Sequence, residues 1–169
     1  EDVLLNDINP DLVSTISSFN AVAEPVTARN KNGILKVTKA KNPNLGFVAD
    51  PEEIDDEKLN SIMDSNKVPV IAPMGLGDNN QVYNINADTA AGTIAIKIKA
   101  ERLLLMTDVP GVKDKKGSYI SKLTILEAQK LIDNQTITGG MIPKIQTCIS
   151  AVKNGVGGVV IIDGTRPHA

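Results

Sequence analysis

The chain is poor in aromatic residues, and neither sign of charge dominates it. Aromatic residues make up 2% of its 169 positions and tryptophan is absent, so the predicted core consists of isoleucine, valine, leucine and alanine. Side chains that stack on nucleic-acid bases are therefore scarce. The chain has 18 basic and 20 acidic residues, which leave a net charge of −2, and the basic residues form no long stripe. Nucleic acid is accordingly not an expected partner.

Cysteine and long apolar runs are also nearly missing. A single cysteine, Cys148, excludes a disulfide within the chain and a cysteine-based metal cluster, which fits a reducing compartment. It lies on the apolar face of a predicted helix, where a buried structural thiol is the favoured interpretation. The longest apolar runs, at 103–106 and 159–162, are too short to cross a bilayer. The sequence therefore predicts a chain that is not embedded in a membrane.

Hydrophobic periodicity and turn residues predict alternating strands and helices. The predicted helices cover residues 9–19 with Asn9 as N-cap, 55–66, 89–100, 124–132 with a Thr124/Glu127 capping box, and a last helix from the turn containing Lys144 to near residue 154. The predicted strands cover residues 21–23, a hairpin strand from Ile34, and residues 68–72, 83–87, 102–106 and 159–162. The apolar run at 102–106 is typical of a central parallel strand. This alternation predicts an α/β fold.

Three polar segments are interpreted as loops. Residues 24–33 are predicted to form part of a β-rich flap. The Gly-x-Gly of residues 75–77 is a weak phosphate signal, so a turn-rich connector over 75–80 is favoured. Residues 113–117 carry the densest positive charge, yet a solvated hairpin tip is favoured there over a phosphate site.

The segment from Tyr83 to Gly92 places two amides and a carboxylate beside a helix start. Asn84, Asn86 and Asp88 alternate with apolar residues, as at the end of a strand. Asparagine both donates and accepts hydrogen bonds, whereas an ionised aspartate only accepts and would align an ammonium group. This pattern suits binding of an anionic substrate near a lysine.

A second candidate is an anion site at Gly139 and Gly140. The glycines allow a tight turn, and the following helix is expected to present free N–H groups at the positive end of its dipole. Lys144 lies in the first turn, where a lysine opposes the dipole but suits phosphate. A solvated lysine after an ordinary loop remains the alternative from these residues alone.

Four motifs then follow one another along the second half of the chain. They are YNINADTAAG at residues 83–92, LMTDVPGV at 105–112, ITGGMIPK at 137–144 and IIDG at 161–164 running on to PHA at 167–169. Segments 8–13, 45–48 and 69–73 extend the pattern upstream. Together these segments resemble the acetylglutamate kinases of the amino-acid kinase superfamily over nearly the whole chain.

The resemblance implies a three-layer αβα sandwich with a mainly parallel central sheet and a β-hairpin flap. Residues 1–96 would form part of an amino-acid-substrate lobe and residues 97–169 part of a nucleotide-binding lobe. The implied reaction moves the γ-phosphoryl group of ATP to the side-chain carboxylate of N-acetyl-L-glutamate in arginine biosynthesis. A carboxylate needs no base, so catalysis rests on positioning and charge neutralisation, and His168 need not be catalytic.

The resemblance also implies roles for individual residues. Asn84 would bind N-acetyl-L-glutamate, Lys144 would stabilise charge on the transferring phosphoryl group, and Asp88 would orient lysines. The implied nucleotide-binding residues are Thr107, Asp108, Val109, Pro110, Gly111, Val112, Lys113, Thr136, Ile137, Thr138 and Met141. Mg²⁺ would arrive with ATP and be bound mainly by phosphate oxygens, so no protein metal ligand is predicted.

Partners and alternatives follow from the same resemblance. A homo-oligomer is expected at full length, with a PII-type signalling protein as a candidate regulator, in the cytoplasm or in an organelle stroma or matrix of a eukaryote. The nearest alternative is another amino-acid kinase, acting on acetylaminoadipate, aspartate, glutamate, carbamate or UMP. The other is a non-catalytic nucleotide-binding or regulatory pseudokinase.

The family's first strand, with a second catalytic lysine, glycine-rich turns and a substrate-binding arginine, has no counterpart in these 169 residues. The final elements of the nucleotide lobe have none either. We therefore expect this chain to be part of a longer kinase and to be inactive alone. Acylphosphate formation by the isolated chain, trapped with hydroxylamine, would contradict that expectation.

Overall fold

The computed structural model describes residues 2–29, 33–39 and 46–167, and the chain divides into two compact units, residues 1–90 and 91–169. The α-helices are α1 (Asn9–Ser18), α2 (Asp56–Asp64), α3 (Ala87–Lys97), α4 (Ile125–Asp133) and α5 (Met141–Lys153). The strands are β1 (Val22–Val26), β2 (Leu35–Lys39), β3 (Ala49–Ile54), β4 (Lys67–Ile71), β5 (Met74–Leu76), β6 (Val82–Asn84), β7 (Leu103–Thr107) and β8 (Val159–Asp163). Residues 30–32 of the predicted flap segment, residue 45 of the motif at 45–48, and residues 168 and 169 of the PHA motif lie outside the described residues.

The first unit contains two sheets. Strands β1 and β4 pair in parallel, and β3, β2, β5 and β6 lie in that order in a four-stranded sheet. The predicted hairpin is confirmed, because β2 and β3 pair antiparallel with a register shift between Lys36 and Val37. The largest fully buried side chains of the described residues all belong to this unit. They are Ile34, Leu59, Ile85 and Val26.

The start of the first helix differs from the prediction. A π-helical turn, Val3–Ile8, runs directly into α1, so Asn9 is a helical residue and not the N-cap. The Asn9 side chain is 4% exposed, and its Nδ2 donates to the Val70 carbonyl at 2.9 Å. The side-chain amide that the local pattern assigned to capping thus donates instead to a carbonyl 61 residues away. Phe19, the last residue of the predicted helix, is the C-cap of α1 and is 80% exposed.

Two further segments contain more strand than was predicted. Strand β1 continues to Val26, and strand β5 (Met74–Leu76) includes residues 75 and 76 of the expected connector, followed by a 3₁₀ turn at Asp78–Asn80. Gly75 permits this pairing, since a Cβ there would lie 2.2 Å from Val37 Cγ1 and 3.0 Å from the Leu35 carbonyl oxygen. The glycine therefore serves close strand packing, not a loop conformation.

The second unit is built on β7 and β8, which pair in parallel from Leu103↔Val159 to Thr107↔Asp163. Helix α4 opens with the predicted capping box, in which Glu127 N–H donates to Thr124 Oγ1 at 3.2 Å and Thr124 N–H donates to Glu127 Oε2 at 2.8 Å. Two apolar clusters bury the helices against this pair of strands. Helices packed on parallel strands confirm the predicted α/β class.

One expectation for β7 fails in detail. A central parallel strand should be buried on both faces, but Leu104 and Met106 are 57% and 65% exposed while Leu103 and Leu105 are buried. Residues 103–106 of the strand are all apolar, so its sequence lacks the alternation that would have revealed an open face. No helix within the described ranges is long and apolar enough to cross a membrane.

Candidate active site

The junction between β6 and α3 holds the polar residues of the first unit that the sequence singled out, Asn84, Asn86 and Asp88. Asn84 ends β6, and Asn86 precedes α3 and accepts hydrogen bonds through Oδ1 from the Thr89 N–H at 3.1 Å and hydroxyl at 3.3 Å. Asn86 therefore acts as a helix cap. This cap starts α3 at Ala87 instead of residue 89, which places Asp88 in the first helical turn. An acidic residue there favours the helix dipole.

Asn84 is held by its backbone on two sides. It pairs with Met74 of β5, and on its other side its N–H donates to the Phe47 carbonyl at 2.8 Å beside a parallel bridge to Val48. The neighbouring Ile85 is 2% exposed, which anchors the strand end. The Asn84 side chain itself is exposed. The junction thus presents one amide to solvent and uses the other as a structural cap.

In the second unit, the predicted pair Thr107 and Asp108 lies at the carboxyl end of β7. Thr107 is in register with Asp163 at the end of β8, and its carbonyl accepts the Gly164 N–H at 2.8 Å. The Thr107 hydroxyl donates to Asp108 Oδ1 at 3.3 Å. Carboxyl ends of parallel strands are the usual ligand edge of an α/β sheet. Both residues therefore lie where the sequence predicted.

Asp163 was not among the predicted site residues, although its motif IIDG was recognised. Its side chain is 8% exposed and accepts hydrogen bonds from the Thr165 hydroxyl at 2.6 Å and N–H at 3.1 Å. Arg166 Nε lies 3.0 Å from its Oδ2. The Thr165 hydroxyl is the main cause that lowers the pKa of Asp163, and Arg166 contributes less. Asp163 therefore forms a charged turn directly beside Thr107.

The predicted nucleotide-binding residues fall into three groups, which are buried, exposed and half-buried. Val112 and Ile137 are 6% and 3% exposed and share one apolar cluster, against which Met141 also packs. The structure thus brings together the loop after β7, the loop before α5 and the first residue of α5. Side chains of Asp108, Lys113 and Thr138 are exposed. Buried members of the predicted set can contact a ligand through their backbone only.

The remaining members of that set are half-buried. They are Thr107, Val109, Pro110, Gly111, Thr136 and Met141. The loop from residue 109 to 113 continues into a hairpin confirmed by the Lys113↔Tyr119 bridge and by Asp114, whose Oδ1 accepts the N–H groups of Lys116 and Ser118. Lys113 Nζ lies 5.0 Å from the centroid of the Tyr119 ring, within cation–π range. The ring therefore helps to fix the Lys113 side chain.

The start of α5 offers fewer donors than the sequence suggested. Gly139 has a φ of +58° and its carbonyl accepts the Ile142 N–H at 3.1 Å. Pro143 has no N–H, so two of the amides expected to be free are not available. Lys144 is half-buried in the first turn. Positive charge at this helix start therefore comes from the lysine more than from the backbone.

A groove of about 510 Å³ adjoins the loop after β7 in the second unit. It includes Pro110, Gly111 and Val112 in its wall, together with apolar residues of α5 and β8. Half-buried Cys148 lies in the same wall. Within residues 2–29, 33–39 and 46–167, no group of three or more His, Cys, Asp or Glu side chains could hold a metal ion.

Comparison with known proteins gives a consistent family. Residues 12–163 match the model of the amino acid kinase family. The chain is 46% identical over 169 residues to the acetylglutamate kinase of Pelagibacter ubique (strain HTCC1062), covering all of this chain and 58% of that enzyme. It is 45% identical over 180 residues to the acetylglutamate kinase of Nitrobacter hamburgensis (strain DSM 10229 / NCIMB 13809 / X14), covering all of this chain and 60% of that enzyme.

A solved structure agrees with these matches. The crystal structure of smu.665 from Streptococcus mutans UA159 superimposes with a TM-score of 0.87 at 29% identity, over 96% of this chain and 65% of that one. The chain thus spans less than two thirds of the length of each protein compared here.

Proposed function

Because the chain belongs to the amino acid kinase family, we propose that the protein containing it transfers the γ-phosphoryl group of ATP to the side-chain carboxylate of N-acetyl-L-glutamate. The observation that carries this proposal is the 46% identity to an acetylglutamate kinase across all 169 residues. The polar β6–α3 junction and the β7 loop supply suitable groups for the two substrates.

The proposed chemistry needs little from the protein beyond position and charge. A carboxylate oxygen of the acceptor attacks the γ-phosphorus, the bond from that phosphorus to the bridging oxygen breaks, and ADP leaves with the electron pair. Two anions must be brought together, so a cation at the reacting group is the main requirement. Lys144, half-buried at the start of α5, would supply that charge.

The acceptor would be bound by the first unit. Asn84 presents its amide to solvent from a strand end fixed on both sides, and such an amide can donate to a carboxylate or accept from an amide N–H. Asp88 in the first turn of α3 would orient lysine ammonium groups. Asn86 is assigned no ligand contact, since its Oδ1 already caps the helix.

The nucleotide would be bound by the second unit, along the exposed loop residues and the backbone of their buried neighbours. Mg²⁺ would accompany ATP, and it prefers phosphate oxygens and water with one or two carboxylates. No protein ligand is assigned to the ion, and Asp108, exposed at the ligand edge of β7, would border the nucleotide. ATP supplies the phosphoryl group, and the chain's own residues bind, orient and neutralise.

The test uses the full-length protein with ATP and Mg²⁺. Acyl phosphate is trapped with hydroxylamine, using N-acetyl-L-glutamate, N-acetyl-L-aminoadipate, L-aspartate and L-glutamate as acceptors, and ADP release is followed for carbamate and UMP. We expect kcat/KM for N-acetyl-L-glutamate to exceed every other value by at least about tenfold. Preference for another acceptor would replace the assignment, and nucleotide binding without turnover would identify a pseudokinase.

The wider setting belongs to the same proposal. We place the reaction in the cytoplasm, where ATP is available and the single Cys148 would stay reduced. The full-length protein is proposed to be a homo-oligomer, which sedimentation would test. A PII-type regulator is proposed as a partner, to be sought by co-sedimentation with and without ATP.

A further inference from the structure

Phe47 contacts the backbone of Asn84, the proposed substrate-binding residue of the first unit. Its carbonyl accepts the Asn84 N–H at 2.8 Å, and Val48 forms a parallel bridge to Asn84. Its ring centroid lies 6.0 Å from that of Tyr83 at an interplanar angle of 53°. Tilted pairs at this separation are favourable aromatic contacts. Phe47 therefore contacts β6 through both its backbone and its side chain.

The Phe47 ring and the Asn84 side chain point to opposite faces. Successive side chains along extended backbone alternate between the two faces. Tyr83 and Asn84 are successive residues of β6, so their side chains point to opposite faces, and the ring contact places Phe47 on the Tyr83 side. Phe47 thus has no direct route to a ligand held by the Asn84 amide, and any influence must pass through the backbone of residues 83 and 84.

Burial does not explain why an aromatic residue lies here. The Phe47 side chain is 65% exposed, so little of it contributes to a core. A Cβ on Gly77 would lie 2.7 Å from Tyr83 Cε2, so the Tyr83 ring also lies close to the bare Gly77 backbone. The ring contact between Phe47 and Tyr83 therefore links the segment at residues 46–48 to β6.

We propose that Phe47 is a positioning residue for N-acetyl-L-glutamate. It contacts the Tyr83 ring and accepts the backbone N–H of Asn84, and both contacts hold the side-chain amide of Asn84 in place. This inference rests on the proposed function for its substrate. The ring pair keeps the segment at residues 46–48 against β6, so the Asn84 backbone stays paired on both sides. A small displacement of a positioning group is costly for binding and turnover.

The experiment compares Phe47→Ala with Phe47→Tyr in the full-length protein, with Phe19→Ala as the matched control. Phe19 undergoes the same change but is 80% exposed. We expect Phe47→Ala to speed hydrogen exchange of the Asn84 backbone N–H and to raise KM for N-acetyl-L-glutamate. Each change should be about three- to tenfold, which corresponds to the free energy of one aromatic pair. KM for ATP should stay at the parental value and the melting temperature should fall by no more than about a few degrees, whereas Phe47→Tyr should restore exchange and KM.

The outcomes separate this inference from the proposed function. Exchange at Asn84 that is no faster than in Phe19→Ala would overturn it, whatever the kinetics. Faster exchange with KM for both substrates raised alike would overturn the positioning role in favour of a general structural one. If the parent protein does not phosphorylate N-acetyl-L-glutamate, the proposed function fails, whereas the exchange measurement still decides whether Phe47 holds Asn84.

Discussion

In the first unit, Asn84 stands at a strand end whose backbone is paired on both sides, and its side chain is exposed. In the second unit, Val112 and Ile137 lie within an apolar cluster, so their loops can offer a ligand mainly backbone groups. The first arrangement would separate binding from stability, because among residues 2–29, 33–39 and 46–167 the exposed side-chain amide of Asn84 has no hydrogen-bond partner. The second couples them, because the same residues hold the loops and build the core. Substitutions in the two units should therefore fail in different ways.

The largest expected effect lies at Lys144. Lys144→Ala should lower kcat by about 10²- to 10³-fold, the usual loss when a group that stabilises transition-state charge is removed. Thermal unfolding should change little. Lys153→Ala, which removes an exposed lysine from the last turn of the same helix, should retain nearly parental turnover. Full turnover by Lys144→Ala would remove the lysine from the mechanism.

Ile137→Ala sharpens the comparison by testing the coupled region. Truncating this 3% exposed side chain should lower the free energy of unfolding by about 2–5 kcal/mol and raise KM for ATP, with KM for N-acetyl-L-glutamate unchanged. Leu126→Ala in the same unit is the control, since Leu126 is 74% exposed. A destabilised variant with parental KM for ATP would show that binding and packing are separate here too.

Gly92 tests how closely α3 and α5 must approach in the second unit. A Cβ on Gly92 would lie 2.6 Å from Thr147 Cγ2, so this steric conflict should lower the free energy of unfolding of Gly92→Ala by about 1–3 kcal/mol. The higher helix propensity of alanine acts in the opposite direction. Denaturant unfolding measures the effect. In a Thr147→Ser background, which lacks that methyl group, the same change should become neutral or stabilise by up to about 1 kcal/mol. Equal destabilisation in both backgrounds would locate the cause elsewhere.

The smallest effect concerns acid stability at Asp163. Its pKa is lowered in the folded state, so its contribution to stability is complete above the unfolded value of about 3.9 and is lost as the pH falls through the folded value. Below about pH 4, the melting temperature of the parent should therefore fall more steeply than that of Asp163→Asn. Asp64→Asn at the exposed end of α2 is the control. Parallel curves for the parent and Asp163→Asn would contradict the assigned interaction.

Local patterns predicted what local chemistry decides. The Thr124/Glu127 capping box, the turn around Asp114 and the β2–β3 hairpin all depend on residues close in sequence, and all are present. The motif residues Thr107 and Asp108 likewise lie at a strand end because the apolar run of β7 stops before them.

Features that depend on distant partners were missed. Asn9 donates to a carbonyl 61 residues away, and Gly75 belongs to a strand only because Val37 and Leu35 pack against it. Neither contact leaves a local signal. The role of Asn86 was readable in principle, since an asparagine before a helix is a favoured N-cap, but the neighbouring Asn84 suggested one shared role for both amides. Asp163 was visible in its motif, while its register with Thr107 was not.

Separate equilibrium binding of the two substrates tests the division between the units most directly. Calorimetric titration of the full-length parent and Asn84→Ala with N-acetyl-L-glutamate, and independently with Mg-ATP, requires no turnover. We predict that Asn84→Ala loses at least about tenfold in affinity for N-acetyl-L-glutamate, as expected when a hydrogen-bonding group to a charged ligand is removed, and keeps parental affinity for Mg-ATP. Unchanged affinity for N-acetyl-L-glutamate, or an equal loss for both ligands, would contradict the account.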